Sequence, residues 1–490
     1  MKSTKWVLIG GAAIGVTTAG AHADELSDMK AQIEALNARV VAVQTAPAVP
    51  AGYQLLAITR GEPLQVPGMI DSDRDRVVDN SATIISILPT ADAPDGVSIS
   101  WSGYVRAAVV YSGASSDATL KRSYTDIDGV KTTEKTKLPV TTDDDWDVLS
   151  RGQLRVVAKT DTAIGEVGVE LKMRADFNDN GPGYVYMKTA WGFWAMTPEL
   201  TFGGGYNKSL GNIGYGYDGA CTCYYTDRAD VNFDPGDTTQ LRLSYASGPF
   251  SMAVALEDSG KNNGFGNYND YTNGQNLGVA GVFNYLGDAF SGEISGVYRT
   301  VNGDDYSRSG PVLSAVSNVY DSNVDSLWQV GAGVGFDLGD IASFSLAAAL
   351  GSGPFDEVNS QGDIVSSYPV QNDWWGVSGL ASANLSDSFH AEVGVGYKHR
   401  ETDGFTGLYD ADGDYWYYSG LDWNQFAVLG GAYYTPVDQL TIGLEGEWYT
   451  TDSSISRIQR DIEGERTGYK DRLDDTEDNW TVDLVSVWRF

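Results

Sequence analysis

At 490 residues the chain could hold two or three ordinary soluble domains or one large closed sheet. Asp and Glu outnumber Lys and Arg by 66 to 33, a formal charge of −33. That charge argues against nucleic acid as a partner, because a phosphate backbone rewards clustered bases, and it biases any aqueous path through the protein toward cations.

The first 23 residues read as an export signal. Lys2 and Lys5 supply the charged start, Val7 to Val16 the apolar stretch, and "AHA" at 21–23 the cleavage pattern. No later apolar run is long enough for a transmembrane helix, so an exported chain is either soluble or a membrane β-barrel. Residues 24–44 switch to helix chemistry. Leu26, Met29, Ile33, Leu36, Val40 and Val43 keep the a/d rhythm of a coiled coil, which suits either a small oligomer seam or a helix packed on its own chain. Residues 45–98 form a linker or extension: a Pro/Ala stretch, then a block without clear periodicity. Within it Asp71, Asp73 and Asp75 imitate the start of a calcium loop, but Arg76 stands at the turn glycine and Ala82 at the bidentate glutamate. No metal site and no cofactor are expected.

From Ile99 the chain becomes a series of alternating segments of about ten residues, the length at which a tilted strand crosses a bilayer. Sixteen run from 99–111 to 479–490, which makes 99–490 one all-β barrel domain. Tight turns such as 248–249 alternate with long connections at 112–151, 210–237, 302–325, 400–423 and 451–478. One rim of short turns and one of long loops is the asymmetry of an outer-membrane barrel. Charge decides which face is oily. In 165–177 Val167, Val169, Leu171 and Met173 alternate with Glu166, Glu170, Lys172 and Arg174. A Lys or Arg facing lipid at the midplane costs about 2–4 kcal/mol, so the charged row faces the lumen. Trp101, Tyr111, Trp191, Trp374, Tyr434, Trp448 and Trp488 are expected in interfacial girdles.

A sixteen-stranded barrel is too wide for side chains to fill and holds water. Arg106, Arg155, Lys172, Arg174, Lys188 and Arg242 come from the first six strands and would form a positive wall. The third long connection, 210–237, carries Asp218, Asp227, Asp230, Asp234 and Asp237 against a single Arg228. Folded inward it would set acid against base across a narrowed pore; otherwise it extends into solvent. Cys221 and Cys223 in "CTC" suit a local disulfide better than a metal site, with two free thiols as the alternative.

In "SGYVRAAVVY", "YVYMKTAWGFWAMTPELTFGG", "LRLSYASGPFSMAVALED" and the terminal "VWRF" the chain resembles the trimeric general-diffusion porins of alphaproteobacterial outer membranes. That resemblance implies a homotrimer passing small hydrophilic solutes and ions in the outer membrane of a Gram-negative bacterium, among lipid and lipopolysaccharide. It implies a third loop folded inward as a constriction, with the acids of 218–237 matching that loop and the six bases matching the wall opposite. It also implies that the barrel-assembly machinery reads the terminal Phe490. An even strand count places both termini on the periplasmic side, so residues 24–97, with the 45–98 linker or extension, are expected in the periplasm. Cation-preferring diffusion, without catalysis, is the expected function. A sugar-selective channel using Tyr215, Tyr217, Tyr224 and Tyr225 is the alternative. A barrel enzyme using His390 or His399, or an adhesin, is the weaker one.

Overall fold

Two faces of opposite polarity on one strand need two solvents, and the computed structural model provides them by closing the sheet on itself. It describes residues 55–69, 82–88 and 96–490, except 126–127, 129, 178–183, 215–216, 218–223, 232, 234, 259–276, 301–325, 340, 356–369, 403–404, 410–414 and 461–465. The expected export signal, the coiled-coil-like helix, Tyr215, Asp218, Asp234, Cys221 and Cys223 lie outside the described residues.

The chain begins with β1 (Leu55–Gly61) and β2 (Ala82–Leu88), followed by β3 (Val97–Thr125), β4 (Lys131–Lys137), β5 (Thr141–Thr162) and β6 (Gly165–Phe177). Then come β7 (Val185–Ala195), β8 (Leu200–Lys208), β9 (Asp237–Ser247), β10 (Phe250–Asp258), β11 (Leu277–Leu286) and β12 (Phe290–Thr300). The series continues with β13 (Ser326–Asp337), β14 (Ala342–Phe355), β15 (Val370–Ser386) and β16 (Phe389–Thr402). It ends with β17 (Phe405–Tyr409), β18 (Tyr415–Val437), β19 (Leu440–Arg460) and β20 (Arg466–Arg489). All but β1, β2, β4 and β17 are the sixteen antiparallel staves of the barrel, and β20 closes it against β3. Closure leaves no stave with an unpaired edge in lipid, where no water could satisfy it.

Three of the expected long connections are largely strand. β3 and β5, and β19 and β20, continue pairing into 112–151 and 451–478, and within 400–423 β17 pairs with β18 beyond the end of the β16–β18 ladder. The stretch 400–423 is rich in aromatics without a clear alternation, while 112–125 and 451–478 are largely polar and lack the alternation that marks a spanning strand. Cross-strand ion pairs stand there instead: Arg122 with Asp471 at 2.9 Å and Lys137 with Asp117 at 2.8 Å.

Side-chain parity matches expectation along most staves. On β9, Leu241, Leu243 and Tyr245 point outward, while Thr238, Gln240, Arg242 and Ser244 are buried on the inner face. On β20, Val482, Leu484, Trp488 and Phe490 are exposed outside and Asp483 is buried inside. Two girdle assignments fail. Trp374 is only 2% exposed and faces inward, because in the Trp374–Trp375 pair it is Trp375 that meets lipid. Trp191 is 4% exposed and also faces inward: the register between β6 and β7 shifts at Lys172/Met173, so the side-chain parity of β7 changes there.

The block 54–97, aperiodic in sequence, contributes the antiparallel pair β1 and β2. Along one edge of β3, β20 pairs from Tyr124 down to Tyr104, and Phe490 N–H donates to Gly103 O. β2 takes over at once, Thr83 opposite Trp101 and Ile87 opposite Val97. The last and the second strands of the chain therefore lie end to end on one edge.

Candidate functional site: the pore and its inner loop

The described residues of the connection between β8 and β9, 209–236, turn into the barrel and lie along the inner wall. Lying outside any strand, they must find partners for their backbone elsewhere, and each buried N–H left unmet would cost about 1–3 kcal/mol. The wall supplies them. Ser209 Oγ and Leu210 N–H donate to the Glu257 carboxylate of β10, at 3.0 and 3.1 Å. Gly214 N–H donates to Glu293 of β12. Gln329 of β13 donates to Gly211 O at 2.9 Å and accepts from Phe233 N–H at 3.2 Å. Glu447 of β19 accepts from Arg228 N–H at 2.8 Å, and Glu445 from the N–H groups of Tyr224 and Tyr225 at 2.7 and 3.1 Å. Arg299, buried beside Glu257 at 2.7 Å, donates to Pro235 O.

Small residues let the loop lie close. Leu210 packs on inward alanines of β10 and β11, and Phe233 on Trp374 with ring centroids 5.0 Å apart. A Cβ built on Gly333 would stand 2.5 Å from Tyr217 Cβ, and one on Gly396 only 2.3 Å from Ala229 O. Along these staves glycine is what allows the loop to reach the wall.

The six expected wall bases sit on β3, β5, β6, β7 and β9, and their positions differ. The Arg106 guanidinium lies 4.3 Å from the Tyr225 ring, so the loop touches the basic wall there. Arg155 pairs with Glu170, and Arg174 donates to Gln153 Oε1. Lys188 pairs with Asp237. Lys172 is buried on the inner face of β6. Arg242, 2% exposed, lies over Trp191 at 5.0 Å and donates to Lys208 O, steadying the entry to the loop. Arg151, not singled out in sequence, adds another base and pairs with Asp176.

Of the loop acids, Asp227 is exposed and Asp230 half-buried, with Asp230 N–H donating to Asp227 O. Asp237 belongs to β9 rather than to the loop. Arg228 lies 5.2 Å from the Tyr449 ring, against the far wall. Tyr217 is buried against the glycines of β13, and Tyr224 is buried beside Tyr433 while its hydroxyl accepts from Arg489. Burial pushes the Tyr224 and Tyr225 phenols above their ordinary range, against the pull of Arg489 on the first and Arg106 on the second. His390 lies against Asn384 and Glu392, and His399 Nδ1 is 2.9 Å from Asn424.

Sequence reasoning missed the wall acids Glu257, Glu293, Glu445 and Glu447. Each is a carboxylate at an inward position of its strand, readable from the alternation with Leu256, Ile294 and Leu444 on the outer face. Asp483, 0% exposed, stands directly across from Glu445 in the register. At the long-loop end a cavity of about 220 Å³ is lined by Asp422, Asn424, Asp452, Asp474 and Asp475, among others.

A closed barrel of sixteen staves with a loop folded down its bore defines an outer-membrane channel. The chain belongs to the porin subfamily, whose family model matches residues 97–481. No curated protein matches it. Among solved structures it is similar to the outer membrane channel DcaP of Acinetobacter baumannii, at 13% identity and TM-score 0.42, over 82% of this chain and 99% of that one. An anion-selective porin from Comamonas acidovorans shares 12% identity at TM-score 0.45, over 80% and 100% of the two chains. A loop-deleted OmpT, an outer membrane protein of Vibrio cholerae, shares 11% at TM-score 0.44, over 80% and 99%.

Proposed function

We propose that this porin is a passive, non-enzymatic diffusion channel for small hydrophilic solutes and ions, with a preference for cations. The observation that carries the reading is the loop 209–236, fastened inside the bore by wall carboxylates and touching Arg106 across from them. A loop held there narrows the water path without closing a catalytic pocket, and charge on either side of it sorts ions. Cation preference draws on the net charge of −33, on exposed Asp227, and on the acid-lined cavity at the long-loop end. Two of the wall bases, Arg155 and Lys188, already have carboxylate partners that cancel their charge.

The working form is a homotrimer in the outer membrane. It is delivered by the 1–23 signal, has its N-terminus in the periplasm, is folded by the barrel-assembly machinery and is surrounded by lipopolysaccharide. Cys221 and Cys223 form a disulfide within the loop. Two of the tyrosines that would guide a sugar, Tyr217 and Tyr224, are instead occupied in anchoring the loop, which favours general diffusion over sugar selectivity.

Planar-bilayer recording tests this directly. Ohmic steps in triplets are expected, with a reversal potential of cationic sign under a salt gradient. Absence of conductance from folded protein would refute the channel, and an anionic reversal potential would refute the preference.

A further inference from the structure

The inner face of a water-filled barrel should be polar, and around the inner loop it is rich in Arg, Glu and Gln. Nearer the short-turn end it is not. Val157 of β5 and Trp191 and Phe193 of β7 all point into the bore, yet all are buried. The rings lie partly over Gly203 and Gly168 of the neighbouring staves, with Arg242 over Trp191, and the rest of the patch is covered from inside the barrel. The cover is the chain's own segment between β1 and β2, of which residues 62–69 are described. Val66 is 2% exposed and packs on that apolar patch, flanked by Leu64 and Met69.

The segment is seated as well as packed. Leu64 N–H donates to Ser100 Oγ on β3 at 3.3 Å, and Asn207 Nδ2 lies 3.6 Å from Met69 Sδ. At Gly68, where φ is +74°, a Cβ would stand 2.9 Å from that of Thr201 and 3.0 Å from that of Ser244. Pro63 and Pro67 fix φ on either side of Val66, and Pro67 holds Val66 itself extended. The strap thus crosses the inner faces of β3, β5, β7, β8 and β9. The Trp191 ring also carries the Arg242 guanidinium at 5.0 Å, so the strap's seat supports one of the wall bases.

We propose that residues 62–69 form a second constriction of the channel, on the short-turn side of the inner loop, and that Val66 seated on Trp191 and Phe193 sets its width. This rests on the diffusion-channel reading above. Apart from Glu62 at its start, the strap, Pro-Leu-Gln-Val-Pro-Gly-Met, carries no charge, so the second constriction sorts mainly by size. The channel then has two filters in series: one electrostatic at the inner loop, one steric at the strap.

The test is single-channel recording of Leu64→Ser/Val66→Ser, with polymer exclusion by polyethylene glycols of graded size. Conductance should rise and larger polymers should enter, while the reversal potential stays at the wild-type value. A second variant guards against misfolding: Val66→Cys/Val157→Cys, in a background with Cys221→Ser and Cys223→Ser. Oxidising it pins the strap to its seat and should leave conductance at the background's level. Unchanged conductance and polymer cut-off in the serine variant, or a conductance change on oxidising the cysteine pair, would overturn the strap while leaving the channel standing. A wild-type protein that does not conduct would instead overturn the channel reading itself.

Discussion

The inner wall from β3 to β9 and the inner wall from β10 to β20 enclose one bore but are furnished differently. The first is mainly basic, with Arg106, Arg151, Arg155, Lys172, Arg174, Lys188 and Arg242 beside the acids Glu170 and Asp176; the second is mainly acidic, with Glu257, Glu293, Glu445, Glu447 and Asp483 beside Arg299 and Arg489. The inner loop lies along the second. A carboxylate accepts and cannot donate, so an acidic wall is a row of acceptors for the N–H groups of a loop without secondary structure. Guanidinium and ammonium groups are donors and would have left those N–H groups unpaired. The inward carboxylates therefore favour this side for the loop's N–H groups, while Arg299 and Arg489 meet its oxygen acceptors.

That comparison can be broken from either side. The largest effect should come from Glu445→Ala/Glu447→Ala, which removes the acceptors of Tyr224, Tyr225 and Arg228 together. At about 1.5–3 kcal/mol per charged hydrogen bond, the far end of the loop should detach, giving noisy, variable conductance in bilayers and a lower unfolding temperature. Gly396→Val should come next. Its side chain would meet the Ala229 carbonyl, a backbone atom that cannot swing away, so the loop should stand off the wall and conductance should change with little loss of strand content by circular dichroism. On the basic side, Arg106→Ala forfeits a cation–π contact of about 0.5–2 kcal/mol with Tyr225. It should move the reversal potential toward stronger cation preference while the loop stays anchored by β19. Asp483→Asn relieves a like-charge cross-strand pair with Glu445, and a gain of about 0.2–1 kcal/mol should appear as a slightly higher unfolding temperature. Lys137→Ala, in an exposed pair with Asp117 outside both walls, should change stability by about 1 kcal/mol or less and leave conductance unaltered.

The barrel was legible because lipid enforces alternation: at β6 and β9 the oily and polar rows can be read directly from the chain, and the basic wall follows from the same rule. Where lipid no longer constrains the sequence, legibility drops. The extensions of β3, β19 and β20 are strands held by pairing and ion pairs, and their largely polar residues looked like loop. Trp191 was misassigned because one bulge residue changes parity, and no residue type announces a bulge. The wall acids were overlooked for another reason. A lone inward carboxylate looks like pore lining until the loop that bonds to it is in place, and that contact joins residues as distant as Tyr224 and Glu445.

The end-to-end meeting of β20 and β2 on one edge of β3 bears on how the barrel closes. A β-ladder can slip by two residues without turning any side chain to the wrong face, so parity alone does not fix where the last stave stops. Here the strip beyond Gly103 is already taken by Thr83 opposite Trp101. β2 acts as a doorstop: it occupies the edge that the closing strand would need in order to slide further along β3. A strand outside the sixteen staves thereby abuts the seam by which the barrel is closed.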